Sequence, residues 1–353
     1  MILPMARLRV GTAALLALCL GLGAIAGCGG SSTEPSPPFT VAVPFGFPEL
    51  PDDPGNPLRP EGIELGRRLF YEKALSADST QACASCHVQA FAFTDRGRAF
   101  SVGVDGIEGT RSAMAVINPG WLRDLFWDGR AAGLEAQASA PVPNPIDMHL
   151  DWGPAVARLA ADSGYPDRFA AVFGSPVITR ERTVAAIAQF ERTLISGDSR
   201  YDRFRRGELI LTPAETRGLL LFFSEAADCF HCHGEPFFTD GRFHNNGLDS
   251  DFTDTGLEAI SGRAVDRGKF RTPTLRNIAV TAPYMHDGRF KTLEEVIGHY
   301  NSGGVFSETV DPLIRVGRGL KLSEDDVADL TAFLESLTDS TFLTNPAFGD
   351  PFR

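Results

Sequence analysis

Cys83, Ala84, Ser85, Cys86 and His87 form one run and Cys229, Phe230, His231, Cys232 and His233 another, both of the pattern Cys-x-x-Cys-His. Two thiols on one helical turn can meet the two vinyl groups of a porphyrin, while the adjacent imidazole reaches its iron. Each run therefore reads as a covalent c-type haem attachment site, with His87 and His233 as proximal ligands. A zinc site would need a fourth ligand beyond two cysteines and a histidine, and a redox Cys-x-x-Cys pair needs no histidine after it. His231, inside the second run, reads as exposed and incidental. Two haems c are the expected cofactors.

The remaining cysteines belong to the export signal. Arg7 and Arg9 precede an apolar run from Val10 to Ala26 that ends in Ile25-Ala26-Gly27-Cys28. This order reads as a secretory leader over residues 1–27, and its last residues resemble a bacterial lipobox with Cys28 as the lipidated first residue. Cys19 lies in the leader, so no cysteine is left for a disulfide. Gly29, where an aspartate would favour inner-membrane retention, points to the outer membrane. The Gly-, Ser- and Pro-rich residues that follow read as a flexible tether over 28–45. No further segment is long enough to span a bilayer, so the expected location is the periplasm, with membrane contact through a lipid only.

The 353 residues, 43% hydrophobic and 22% charged, suit two packed domains that can bury large cofactors. The formal charge of −12 includes Arg7 and Arg9, so the mature chain stands near −12 − 2 = −14. That balance argues against nucleic acid and suits a basic protein partner. Strand patterns are almost absent, and the expected fold is mainly α. Between Glu181 and Ile195, residues such as Val184, Ile187, Phe190 and Leu194 give a helical apolar face, which the polar run from Ser196 to Ser199 stops. The domain boundary is placed there: an N-terminal haem domain over 46–196 and a C-terminal one over 197–353. Later helices open at Thr212-Pro213-Ala214-Glu215, Thr292-Leu293-Glu294-Glu295 and Ser323-Glu324-Asp325-Asp326. The first two are capping boxes, and the second puts Val296 and Tyr300 on one face.

With two haem motifs, Phe126-Trp127-Asp128-Gly129-Arg130-Ala131 between them and Thr272-Pro273-Thr274-Leu275-Arg276-Asn277 after them, the chain resembles the bacterial dihaem cytochrome c peroxidase and MauG superfamily. The resemblance runs from about Pro57 to Leu337. It implies two cytochrome c-like helical domains whose haems face one another across a tryptophan, here Trp127, and a calcium ion. The matching calcium positions are Asn118, Thr281 and Pro283. Asn118, before Pro119 and Gly120, would otherwise read as a turn residue.

The resemblance also places a peroxide pocket at the first haem, with Gln137, Pro141 and Asp147 at the family's positions. A carboxylate there can take a proton from bound peroxide and return it to the leaving oxygen. The family usually has glutamate, so Asp147 is a departure. Family peroxidases carry a histidine after the first motif that caps this haem, but residues from Val88 to Met148 include none. The first haem is therefore expected to be open to peroxide in the diferric state. For the second haem, Tyr300 lies 300 − 283 = 17 residues after Pro283, where the family has methionine in peroxidases and tyrosine in MauG. On chemistry alone Met285, His286 and His299 are rivals.

Three functions follow. One is MauG-like oxidation of a partner protein with hydrogen peroxide, closest to tethered MbnH-like enzymes. Another is reduction of peroxide to water with electrons from a small cytochrome or cupredoxin. The third is a non-enzymatic electron carrier. Tyr300 and the missing loop histidine favour the first.

Overall fold

Two helix crossings built to one plan carry the fold, which the computed structural model describes over residues 36–353. The leader, Cys28 and the start of the tether lie outside the described residues. The first half contains α1 (Pro60–Phe70), α2 (Cys83–Cys86), α3 (Leu134–Ser139), α4 (Trp152–Ala161), α5 (Gly164–Phe173) and α6 (Arg180–Glu191). The second contains α7 (Arg200–Arg205), α8 (Pro213–Phe222), α9 (Glu258–Ser261), α10 (Leu293–Ser302), α11 (Glu324–Glu335) and α12 (Ser340–Thr344). Among the described residues, sheet is confined to two antiparallel pairs, β1 (Asp124–Leu125) with β2 (Ala131–Ala132) and β3 (Phe243–His244) with β4 (Phe270–Arg271). The mainly helical expectation holds.

In the first half α1 crosses α6, and in the second α8 crosses α11. Gly66 of α1 lies so close to the Ala186 carbonyl and Phe190 that a Cβ would overlap them, and Gly218 of α8 meets the Asp329 carbonyl and Phe333 in the same way. Four residues beyond each glycine, Phe70 packs on Phe190 at 5.4 Å and Phe222 on Phe333 at 5.1 Å between ring centroids. Each pair is completed by the phenylalanine that follows a haem motif: Phe93 lies 5.9 Å from Phe70, and Phe238 lies 5.8 Å from Phe222. Both halves thus use a glycine for close approach and a cluster of three phenylalanines, of which Phe70 in the first half and Phe222 in the second reach a cavity.

The helix expected over Glu181–Ile195 ends at Glu191, because Thr193 Oγ1 donates to Phe190 O at 2.6 Å and closes the last turn. The three expected helix starts are present as capping boxes: Glu215, Glu295 and Asp326 each donate a backbone N–H to Thr212, Thr292 and Ser323 at 3.2 Å.

The polar run after α6 is a buried knot joining the halves. Ser196 Oγ and the backbone N–H groups of Gly197 and Asp198 all donate to Asp339 Oδ2 at 3.0 Å, and Asn277 donates to Ser196 Oγ at 2.9 Å. The chain end then returns to the first half, where Phe342 and Phe348 enter its core. Arg276, 2% exposed, pairs with Asp202 through both guanidinium nitrogens at 2.9 and 3.0 Å. Burial alone would raise the Asp202 carboxyl, but Arg276 overcomes it and holds the group below the usual carboxylate range. Arg276→Ala should destabilise the fold by about 3–5 kcal/mol, read as a lower urea midpoint, because it strands a buried charge. The pair's contribution is present above the unfolded carboxylate pKa and is lost as pH falls through the depressed folded one.

Candidate haem sites and the wall between them

Each proximal histidine is set by one backbone carbonyl. His87 Nδ1 donates to Phe93 O at 2.7 Å and His233 Nδ1 to Phe238 O at 3.0 Å. A carbonyl can only accept, so the proton sits on Nδ1 and Nε2 keeps its lone pair for a metal. Burial lowers both imidazole pKa values and keeps the rings neutral. Burial also pushes the Cys83 thiol up to about 12, the Cys86 thiol to about 11, and both thiols of the second motif to about 12. A redox dithiol needs the opposite shift.

His87 and its cysteines line a cavity of about 1000 Å³, and His233 and its cysteines line one of about 210 Å³. Trp127, Arg271 and His286 line both, and so form the wall between them. The Trp127 indole N–H donates to Ser112 O at 2.9 Å, and Arg271 N donates to Trp127 O at 2.8 Å. Asp128, beside the tryptophan, takes Arg111 at 2.5 Å and Arg130 at 3.0 Å, while Arg111 also grips Asp254 at 2.6 and 2.8 Å. Gly129, at φ +72°, lies against the Phe243 ring, where a Cβ would overlap it. The Phe126–Ala131 motif is thus a rigid mount for Trp127.

The residues present fit a haem in each cavity. Arg271 is 5% exposed and, among the described residues, has no carboxylate within salt-bridge distance; its guanidinium donates to Phe126 O at 3.2 Å and Met114 Sδ at 3.3 Å. A buried cation facing both cavities suits the propionates that a haem carries. Ser101 Oγ and Glu191 Oε2, both at the first cavity, are buried without a hydrogen-bond partner among the described residues.

Gln137, Pro141 and Asp147 all reach the first cavity, as the sequence implied. Asp147 Oδ2 accepts from Asn144 Nδ2 at 2.6 Å, which fixes the shorter carboxylate, and burial raises its pKa above the usual range. Glu191 is 4% exposed, faces the same cavity and is raised by burial to about 8. The sequence reading passed over it, although an acid seven residues after Val184 on the buried face was a signal. Asn144 and Arg271 were also missed.

Tyr300 and Met285 both line the second cavity. Burial raises the Tyr300 hydroxyl to about 12, so it holds its proton unless a cation draws it off. Of the other rivals, His299 donates Nε2 to Asn246 O at 2.9 Å, and His286 stacks on Phe270 with centroids 3.7 Å apart. His231 is exposed beside Asp228 and Glu225.

Of the expected calcium set, the Asn118 side chain is engaged elsewhere. Asn118 is 3% exposed, and its amide clamps one backbone residue: Oδ1 accepts from Ser196 N at 2.9 Å and Nδ2 donates to Ser196 O at 3.1 Å. Neither Asn118, Thr281 nor Pro283 lines the two cavities. Thr281 closes a 3-10 turn on Ile278, and Asn118 is the turn residue that its Pro-Gly sequel suggested. Beside Trp127 stands Ser112, tied to Met285 O at 2.9 Å and His286 O at 2.7 Å.

The profile of di-haem cytochrome c peroxidases matches residues 60–209. The methylamine utilization protein MauG of Methylorubrum extorquens is 36% identical over 332 residues, 91% of this chain and 92% of that protein. The chain belongs to the di-haem cytochrome c peroxidase and MauG family. Cytochrome c peroxidase Ccp of Escherichia coli is 36% identical over 290 residues, 80% of this chain and 59% of that protein. A crystal structure of a MauG-like protein associated with microbial copper homeostasis superposes with a TM-score of 0.81 at 40% identity, covering 88% of this chain and 100% of that one. Membership makes this protein a dihaem oxidoreductase that acts on peroxide with a redox partner.

Proposed function

We propose that this enzyme is MauG-like: it uses hydrogen peroxide at the His87 haem, exchanges electrons through Trp127 with the His233 haem, and oxidises a partner protein in the periplasm. The observation that carries the reading is Tyr300, which α10 brings into the second cavity with His233. A phenolate ligand favours the oxidised metal more than a thioether does. A second support is the lack of any histidine from Val88 to Met148 to cap the first haem. Met114, which lines that cavity, has its sulfur engaged by Arg271. Lipidation at Cys28 and attachment to the outer membrane belong to this proposal. Calcium at Asn118 does not, because that amide serves Ser196.

A bound haem supplies the redox chemistry of O–O cleavage. The chain's residues manage the proton and the position. The Gln137 amide orients the peroxide, and Asp147, held at one oxygen by Asn144, takes a proton through the other and returns it to the leaving oxygen. Pro141 and neighbouring apolar groups limit water. Trp127, mounted in the wall, offers an oxidisable ring between the two sites.

The rival reading, reduction of peroxide with electrons from a small cytochrome or cupredoxin, separates in one assay. The diferric enzyme should react with peroxide before any donor is added. Steady turnover of a reduced donor cytochrome, seen only after one haem is prereduced, would establish the rival. Tyr300→Phe should alter the second haem's spectrum and leave the first unchanged.

A further inference from the structure

We propose that Asn246 selects Tyr300 over Met285 as the second haem's ligand, donating one amide N–H to each. The inference rests on the reading of Tyr300 as that ligand. Asn246 Nδ2 lies 3.4 Å from Tyr300 Oη and 3.4 Å from Met285 Sδ. The two rival atoms are therefore no more than 3.4 + 3.4 = 6.8 Å apart, in one cavity. An amide nitrogen has two N–H groups pointing apart, so one can serve each acceptor. The effects are opposite. A hydrogen bond to a phenolate stabilises its charged form, the form that binds a metal. A hydrogen bond to a neutral thioether occupies one of its two lone pairs and weakens the other as a donor to a metal, with no charged form to stabilise.

The backbone that carries this amide is held by its surroundings. Asn245 donates to Ser307 Oγ at 3.0 Å and Thr309 Oγ1 at 2.9 Å, and accepts from Gly247 N at 3.0 Å. Gly247 O accepts from Val305 N at 2.8 Å, and Asn246 O accepts from His299 of α10, one residue before Tyr300. The segment carrying the donor is thus pinned to the helix carrying the favoured ligand. Met285 comes from a separate loop, at φ +73°, fixed through its carbonyl to Ser112.

The test uses the protein loaded with both haems and reads the second haem by optical spectroscopy, resonance Raman and redox titration. Tyr300→Phe should bring in the weak far-red band of thioether ligation and raise the potential, and both effects should vanish when Met285→Leu is added. Asn246→Ala should give a mixture of tyrosinate and thioether signatures, which Met285→Leu returns to tyrosinate alone. Tyr300→Phe with an unchanged spectrum would remove Tyr300 as ligand and the selection with it. A Tyr300→Phe spectrum that changes without a thioether band would overturn the selection and leave Tyr300 ligation standing. Full tyrosinate signal and unchanged potential in Asn246→Ala would likewise overturn it. Should Asn246→Ala fail to load haem, Asn246→Leu, which keeps the bulk and removes both N–H donors, reads the same mixture of ligation signatures, and full tyrosinate signal there would overturn the selection.

Discussion

Asp147→Ala is expected to slow the reaction of peroxide with the diferric enzyme by about 10²–10⁴-fold, the usual contribution of a positioned acid–base group. Both haems should remain covalently bound, because Asp147 contacts the thioether-forming cysteines through no hydrogen bond and its own partner is Asn144. Stopped-flow mixing reads the rate, and the haem content reads integrity. The pH dependence has a definite sign. The carboxylate must be ionised to take the first proton, and burial holds its pKa above the usual range. The rate should therefore fall as pH drops, and the fall should begin at higher pH than for an exposed aspartate. Asn144→Leu removes the partner that favours the ionised form, so it should move that fall higher still. Wild-type kinetics in Asp147→Ala would remove the residue from the mechanism and leave Glu191 as the carboxyl to test.

Trp127→Phe is expected to uncouple the two haems. The first should still react with peroxide, while the change at the second is delayed by orders of magnitude or lost. Trp127 is one of three side chains shared by the two cavities, and the others suit the task less well. Arg271 has no accessible oxidised state, and His286, stacked on Phe270, is harder to oxidise than an indole. Phenylalanine keeps the apolar bulk but loses both the oxidisable ring and the bond to Ser112 O. Following each haem's ferric signal separately after peroxide addition distinguishes uncoupling from general damage. An unchanged second-haem response would mean that electrons pass by another route.

Local rules gave much of this fold in advance. The haem motifs needed only spacing, and three helix starts followed from capping residues whose bonds are short in sequence, such as Thr212 with Glu215. Residues carried over by resemblance lie together where they come from one continuous loop: Trp127, Gln137, Pro141 and Asp147 belong to a single stretch and meet in one cavity. Partners far apart in sequence are harder to read. Asn118 was assigned to a cation from its motif, yet its partner Ser196 lies 78 positions away, and no local pattern announces that clamp. Arg271 was invisible for a similar reason, since an arginine is remarkable only once its burial without a carboxylate is known. The knot of Ser196, Asn277 and Asp339 read as a loop because polar runs usually are loops, and only tertiary structure buries this one.

The most direct test of the account is to mix the diferric enzyme with one equivalent of hydrogen peroxide and follow both haems by visible, near-infrared and electron paramagnetic resonance spectroscopy. Both ferric signals should decline together, without prior reduction, and a charge-resonance band shared by the two sites should appear in the near infrared. A diferric enzyme that stays inert until one haem is reduced would contradict it, and would show that a ligand from this chain closes the first haem.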